Sequence, residues 1–173
     1  MKYVIYIPAI IFVLGLTACE RFKHKGQTLA NEAQTTLKNK SDDFIDKVMP
    51  RFDAYLADTK YNKARFKEFL EVELTPDVKN IYCFDDAIGI DADYQFVFNC
   101  NAATAQRIIE KHQLKLDKET SDYAFGLQND FKWWNKAKIA TLDLYSWQGE
   151  HQYFKYFWYD KAEQKAYYFE FDM

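Results

Sequence analysis

Three stretches near the end of the chain constrain the fold more than any other feature. Residues 138–147, 152–159 and 165–172 each have strand length and are dense in aromatic residues, and the short polar runs QGE and DKAEQ separate them. That layout predicts a three-stranded antiparallel meander. Side-chain alternation also predicts the register of the last hairpin. If Trp158 faces Tyr167, then Tyr156 faces Phe169 and Phe154 faces Phe171 on one side of the sheet. On the other side Lys155 meets Glu170 and Phe157 meets Tyr168. A slip of one residue loses both the charge pair and the aromatic pairs. Twelve aromatics fall between Tyr145 and Phe171, more than one face of three strands can hide. Phe154, Tyr156, Trp158, Tyr167, Phe169 and Phe171 are expected to face inward onto helices. Phe157, Tyr159 and Tyr168, with Tyr145 and Trp147, are left on the face of Lys155 and Glu170. They form either a partner-binding surface or a second covered layer.

Earlier segments read as helix. Between Thr28 and Met49 apolar residues recur at Leu29, Ala33, Leu37, Phe44, Ile45 and Val48 at mostly helical spacing, and Pro50 ends the run. Lys60 to Leu74 places Tyr61, Phe66, Phe69 and Leu70 on one stripe. Residues 80–84 and 93–98 then have β character, joined by DDAIGIDAD, whose aspartates lack the remaining ligands of a calcium loop and read as a solvated turn. Asn101 caps a further helix, AATAQRIIEKHQL, with His112 at the edge of its apolar stripe. The histidines have no second ligand at helical spacing, so none is assigned a metal or catalytic role.

The first residues carry a different message. After Met1-Lys2 the chain runs from Tyr3 to Leu16 without a charge, the layout of a secretory signal and too short for a comfortable membrane span. Leu16-Thr17-Ala18-Cys19 closes it and resembles the lipobox of bacterial lipoproteins. The resemblance implies diacylglycerol on the Cys19 thiol, cleavage of residues 1–18, and acylation of the new amino terminus by a palmitate-type chain. Two or three acyl chains hold a protein at a membrane far better than one. Glu20 follows the cysteine, where aspartate would resemble an inner-membrane retention signal, so the expected address is the outer membrane, facing the periplasm. Residues 19–27 then form a lipidated tether and 28–173 a single domain. In that domain TPDVKNIYCF, FNCN, WWNKAKI and WYDKAEQKAYYFEFDM are similar to segments of small bacterial lipoproteins of unassigned function, a resemblance that brings no activity with it.

With lipid on Cys19, Cys83 and Cys100 remain as a pair in an oxidising compartment. A disulfide between them stays open, because a tight hairpin places Cys83 opposite residues near Gln95, several positions short of Cys100. A formal net charge of −3 gives no electrostatic footprint for nucleic acid. GxSxG, Walker and HExxH motifs are absent from the sequence, which predicts no enzyme, cofactor or metal. Trp133 and Trp134 either pin a loop to the core or stack on a sugar or other small ligand.

The expected fold is therefore α+β: N-terminal helices, a β-hairpin, one helix, then a three-stranded antiparallel meander, all one sheet packed on helices. The expected function is binding a protein partner at the envelope, as an accessory or immunity-type lipoprotein, with small-ligand binding at Trp133 and Trp134 as the alternative.

Overall fold

A computed structural model of the 173-residue chain describes residues 35–38, 40–41, 51–86, 93–120 and 123–172. The chain divides into two compact units, Met1–Met49 and Pro50–Met173. In the first, residues 35–38 and 40–41 are helical, as the 3.6-residue spacing there predicts. Most of the stretch read as helix between Thr28 and Met49, the signal-like segment and Cys19 lie outside the described residues, as do residues 87–92 of the acidic turn.

The second unit is built on one antiparallel sheet of six strands. These are β1 (Lys79–Asp85), β2 (Tyr94–Asn99), β3 (Lys115–Asp117), β4 (Leu144–Gln148), β5 (Tyr153–Asp160) and β6 (Lys165–Asp172), in the order β1-β2-β6-β5-β4-β3. Among the described residues three α-helices accompany it: α1 (Lys60–Leu70), α2 (Ala102–Lys111) and the single turn α3 (Lys136–Ile139). This β-rich sheet overturns the expected α+β arrangement. The last three strands do run as a meander, but they are half of a larger sheet. The β1–β2 hairpin joins it along β6, with Tyr94 opposite Glu170 and Val97 opposite Tyr167. A short strand that the sequence reading left out, β3, pairs with β4 at the other end. The physical reason lies in β6, whose residues Ala166 to Phe171 are all buried. A strand buried on both faces and flanked on both sides is a sheet centre, while a three-stranded meander would leave β6 as an exposed edge. Lys138 to Ile139 belong to α3, so β4 begins later than the run from Lys138 predicts.

The register of the β5–β6 hairpin is the one that alternation predicts. Trp158 pairs with Tyr167, Phe157 with Tyr168, Tyr156 with Phe169, Lys155 with Glu170 and Phe154 with Phe171.

What covers each face differs from expectation. Phe157 and Tyr168 lie at 0 % exposure in a core with Phe66 and Leu70 of α1 and Ile108 of α2. The helices therefore cover the face that the sequence leaves undecided between a partner surface and a covered layer. The face carrying Tyr156, Trp158, Tyr167, Phe169 and Phe171 packs instead against Trp134, Ile139 and neighbours from an irregular segment, residues 123–142. The helices form where their caps are. Thr59 accepts from the Asn62 N–H at the start of α1, and Asn101 accepts from the Thr104 N–H at the start of α2, each satisfying an N–H that a helix leaves without an internal partner.

Candidate functional site

Two regions concentrate chemistry. The first is the loop from Asp53 to Asp58, beside the β1 edge. Asp53 Oδ1 accepts from the backbone N–H groups of both Tyr55 and Leu56 at 2.9 Å, an Asx turn that fixes the loop tip. The loop is tied down at four more points. The fully buried Asn62 of α1 accepts from the Asp53 N–H at 2.9 Å. Its amide Nδ2 lies within 3.0 Å of the carbonyls of Asp53, Leu56 and Ile81, which share its two hydrogens. Trp133 Nε1 donates to the Ala54 carbonyl at 2.7 Å, and the Asp58 carboxylate accepts from the N–H groups of Asn80 and Ile81 at 3.0 Å. The last contact also caps the strand edge, which would otherwise offer unpaired N–H groups.

This tightly held loop carries two apolar side chains in water. Tyr55 is 84 % exposed and Leu56 65 %. Behind them stands a row of partly covered rings. Tyr55 meets Phe131 edge-on, Phe131 stacks on Trp133 at 4.7 Å, and Trp133 stacks on Tyr82 at 5.8 Å. A single exposed leucine means little. Two adjacent apolar tips on a braced loop, continuous with an aromatic stack, are an unusual arrangement for surface that stays in water.

The second region is a group of four ionisable side chains under the C-terminal ends of α1 and α2, three of them buried and Lys155 partly so. Tyr168 donates its hydroxyl to Glu170 Oε2. Lys155 Nζ lies 4.0 Å from Glu170 Oε1 and 3.3 Å from His112 Nδ1. His112 Nε2 lies 3.0 Å from the Leu70 carbonyl at the end of α1. Burial, with the negative charge of Asp172 and Glu71 nearby, pushes the Glu170 carboxyl up to about 8. Lys155 is itself held below its ordinary value by burial. At 4.0 Å it sits at the outer limit of an ion pair, so desolvation outweighs its attraction for Glu170. Burial lowers His112 and raises Tyr168 far above its usual range.

The sequence-selected residues fall into several places. Trp134 is a core residue at 4 % exposure, its Nε1 donating to Gln128 Oε1 at 2.7 Å. Trp133 is half-buried in the aromatic stack, so its stacking partners come from the chain itself. Phe157 and Tyr168 are core residues, which removes the partner-surface alternative for them and leaves the covered layer. Tyr159 is partly buried, and its hydroxyl donates to the Cys100 carbonyl at 3.0 Å. Cys83 and Cys100 are both buried free thiols, pushed up to about 12 by burial. Cys83 sits opposite Phe96, four residues before Cys100 along the strand, and at roughly 3.3 Å per residue that separation is too long for a disulfide. Among the described residues no His, Cys, Asp and Glu cluster suited to a metal occurs. A cleft of about 380 Å³, with Lys115, Asp117 and Ser146 in its lining, lies at the β3 edge. It is at the opposite end of the sheet from Trp133.

Tyr55, Leu56 and Asn62 do not stand out in the sequence. The one signal available was Asp53 two residues ahead of Tyr55, an Asx-turn pattern whose importance depends on Asn62 reaching back to it. Family models, curated proteins and solved structures were all compared with this chain, and none matches it.

Proposed function

We propose that this chain is a lipid-anchored envelope protein, tethered through Cys19, that acts by binding a protein partner rather than by catalysis. The sequence support is the lipobox-like Leu16-Thr17-Ala18-Cys19 behind an uncharged run. The observation that carries the binding reading is the braced loop with Tyr55 and Leu56 exposed at its tip. A leucine side chain contributes about 1.5–3 kcal/mol when fully removed from water. Because the loop is already ordered by Asp53, Asn62 and Asp58, little conformational entropy is lost when a partner covers it. Tyrosine also offers rigid area with a polar end, the composition that binding hot spots favour.

The test is affinity capture of the full-length chain from its own cells, in parallel with Tyr55→Ser/Leu56→Ser and Cys19→Ala forms, read by mass spectrometry. A partner held by the wild type and lost by the double serine variant, with unchanged folding by circular dichroism, supports the reading. A partner retained by the double variant overturns this surface. A Cys19→Ala form that still fractionates with membranes overturns the anchor.

A further inference from the structure

The buried group around His112 fixes its own protonation by geometry. The Leu70 carbonyl can only accept a hydrogen bond, so His112 Nε2 must carry a hydrogen and donate to it. An ammonium group can only donate, so Lys155 Nζ, 3.3 Å away, needs a lone pair at Nδ1. His112 is therefore neutral in this arrangement. A second proton on the ring would place an N–H directly against the lysine ammonium.

His112 also occupies a structural junction. It caps the C-terminus of α2, bonds the last residue of α1, contacts β5 through Lys155, and lies 5.6 Å from the Tyr168 ring of β6. We infer that His112 is an acid-released latch: protonating it breaks its contact with Lys155 and lets the C-terminal ends of α1 and α2 open from the sheet.

The surrounding charges set the balance. Beyond α1, Glu71 favours the protonated ring, but Lys111 of α2 bonds Glu71 at 3.0 Å and opposes it. From the sheet, Lys155 of β5 opposes protonation. Glu170 of β6 is shared between Tyr168 and Lys155 and is held largely neutral by burial near pH 7. Lys155 is in turn flanked by the rings of Trp147 and Tyr153 at 5.8 and 5.7 Å, which limits where it can retreat. His112 is lowered by its burial in the closed form. The closed state is therefore fully favoured above the ordinary histidine pKa of about 6.5 and loses ground as pH falls below it.

The experiment is amide hydrogen exchange, corrected for intrinsic rates, on the full-length chain in detergent between about pH 7.5 and 5. It is read in peptides covering 66–72 and 108–114, and a proton NMR titration of His112 accompanies it. The expected result is opening that rises by up to about tenfold per pH unit below the histidine range, with a pH-independent opening in His112→Gln. In Lys155→Met, which removes the opposing cation, the His112 midpoint moves upward. Opening independent of pH in the wild type, or equally pH-dependent in His112→Gln, overturns the latch. So does an unchanged His112 midpoint in Lys155→Met, a comparison that decides the matter even if His112→Gln does not fold.

Discussion

The two faces of the sheet are covered by different means. On one face α1 and α2 lie across Phe157, Tyr168, Phe96 and Phe98. A helix satisfies its own interior backbone, so its cover needs polar help only at caps and ends. That is where the polar side chains of this face gather: Thr59, Asn101 and Asn62 at the starts, His112 at the close. The other face is covered by residues 123–142, whose internal backbone pairing is limited to the turn of α3 with its end and to two isolated turns, the Leu127 N–H on the Ala124 carbonyl and the Trp134 N–H on the Phe131 carbonyl. Polar side chains take over that task, Gln95 and Gln128 buried and Lys136 partly so. Gln95 and Asn129 exchange two bonds, Gln95 Oε1 accepting at 2.7 Å and its Nε2 donating at 3.2 Å. Gln128 Nε2 donates to the Tyr123 carbonyl at 2.7 Å, and Lys136 Nζ donates to the carbonyls of Phe125 and Gln128. An irregular cover is thus built as an aromatic anchor, Trp134, surrounded by amide side chains that replace a ladder.

This contrast can be broken most severely at the anchor. Trp134→Ala removes the ring that meets Trp158, Tyr167 and Phe169. It should cost about 3–5 kcal/mol in denaturant unfolding and expose 123–142 to protease. Ile108→Ala, under the helices, should cost about 2–4 kcal/mol without new cleavage in α2. Equal protease sensitivity in the two variants would erase the distinction.

The amide substitute for a ladder is tested next by Gln128→Ala. It strips partners from the Trp134 Nε1 and the Tyr123 carbonyl, at about 1–3 kcal/mol for each polar group left buried without a partner. A loss below about 0.5 kcal/mol would mean that water replaces the side chain without penalty.

A pH profile sharpens the comparison on the helix face. The Glu170 carboxyl is raised by burial from 4.5 to about 8, so the stability it contributes is complete below its unfolded pKa and declines as pH rises towards 8. Glu170→Gln should flatten that decline, leaving the variant more stable than wild type at about pH 9, relative to pH 6, by roughly 2 kcal/mol. Parallel profiles for the two proteins would remove Glu170 as the cause.

The smallest effect is expected outside both cores. Tyr55→Ser/Leu56→Ser should change unfolding free energy by less than about 0.5 kcal/mol per site, because the loop is held by Asp53, Asn62 and Asp58 and not by its tip. A larger loss would make the pair structural.

Several of these features can be read from residues alone. Asn101 is a polar cap ahead of a periodic apolar run, and α2 begins where it lies; Thr59 does the same for α1, though in the sequence the apolar stripe from Lys60 alone marks that helix. Strands β1, β2, β5 and β6 stand where aromatic and β-branched residues concentrate. The strand β3 could not be found this way, because Lys115-Leu116-Asp117 carries one apolar residue and pairs only because β4 lies beside it. The length of β4 was overestimated because Lys138 and Ile139 suit a strand by composition, while Asn135 accepting from the Lys138 N–H makes a helical turn of them. The braced loop was invisible for a similar reason. Its organiser, Asn62, looks like any polar residue of an amphipathic helix until Asp53, Leu56 and Ile81 converge on it.

What the sequence by itself determined is local and periodic: the capped helix starts and the pairing of β5 with β6. Register follows from side-chain alternation, and a slip of one residue would face Lys155 and Glu170 with aromatic rings. Tertiary structure alone decided which face the helices cover, since both faces of β6 carry aromatic rings and alternation cannot rank them. It also decided that β2 closes the open side of β6, and that His112, Lys155 and Glu170, distant in sequence, meet at one buried junction. Those outcomes depend on long-range packing, where burial of the whole surface, and not the preference of any segment, sets the lowest free energy.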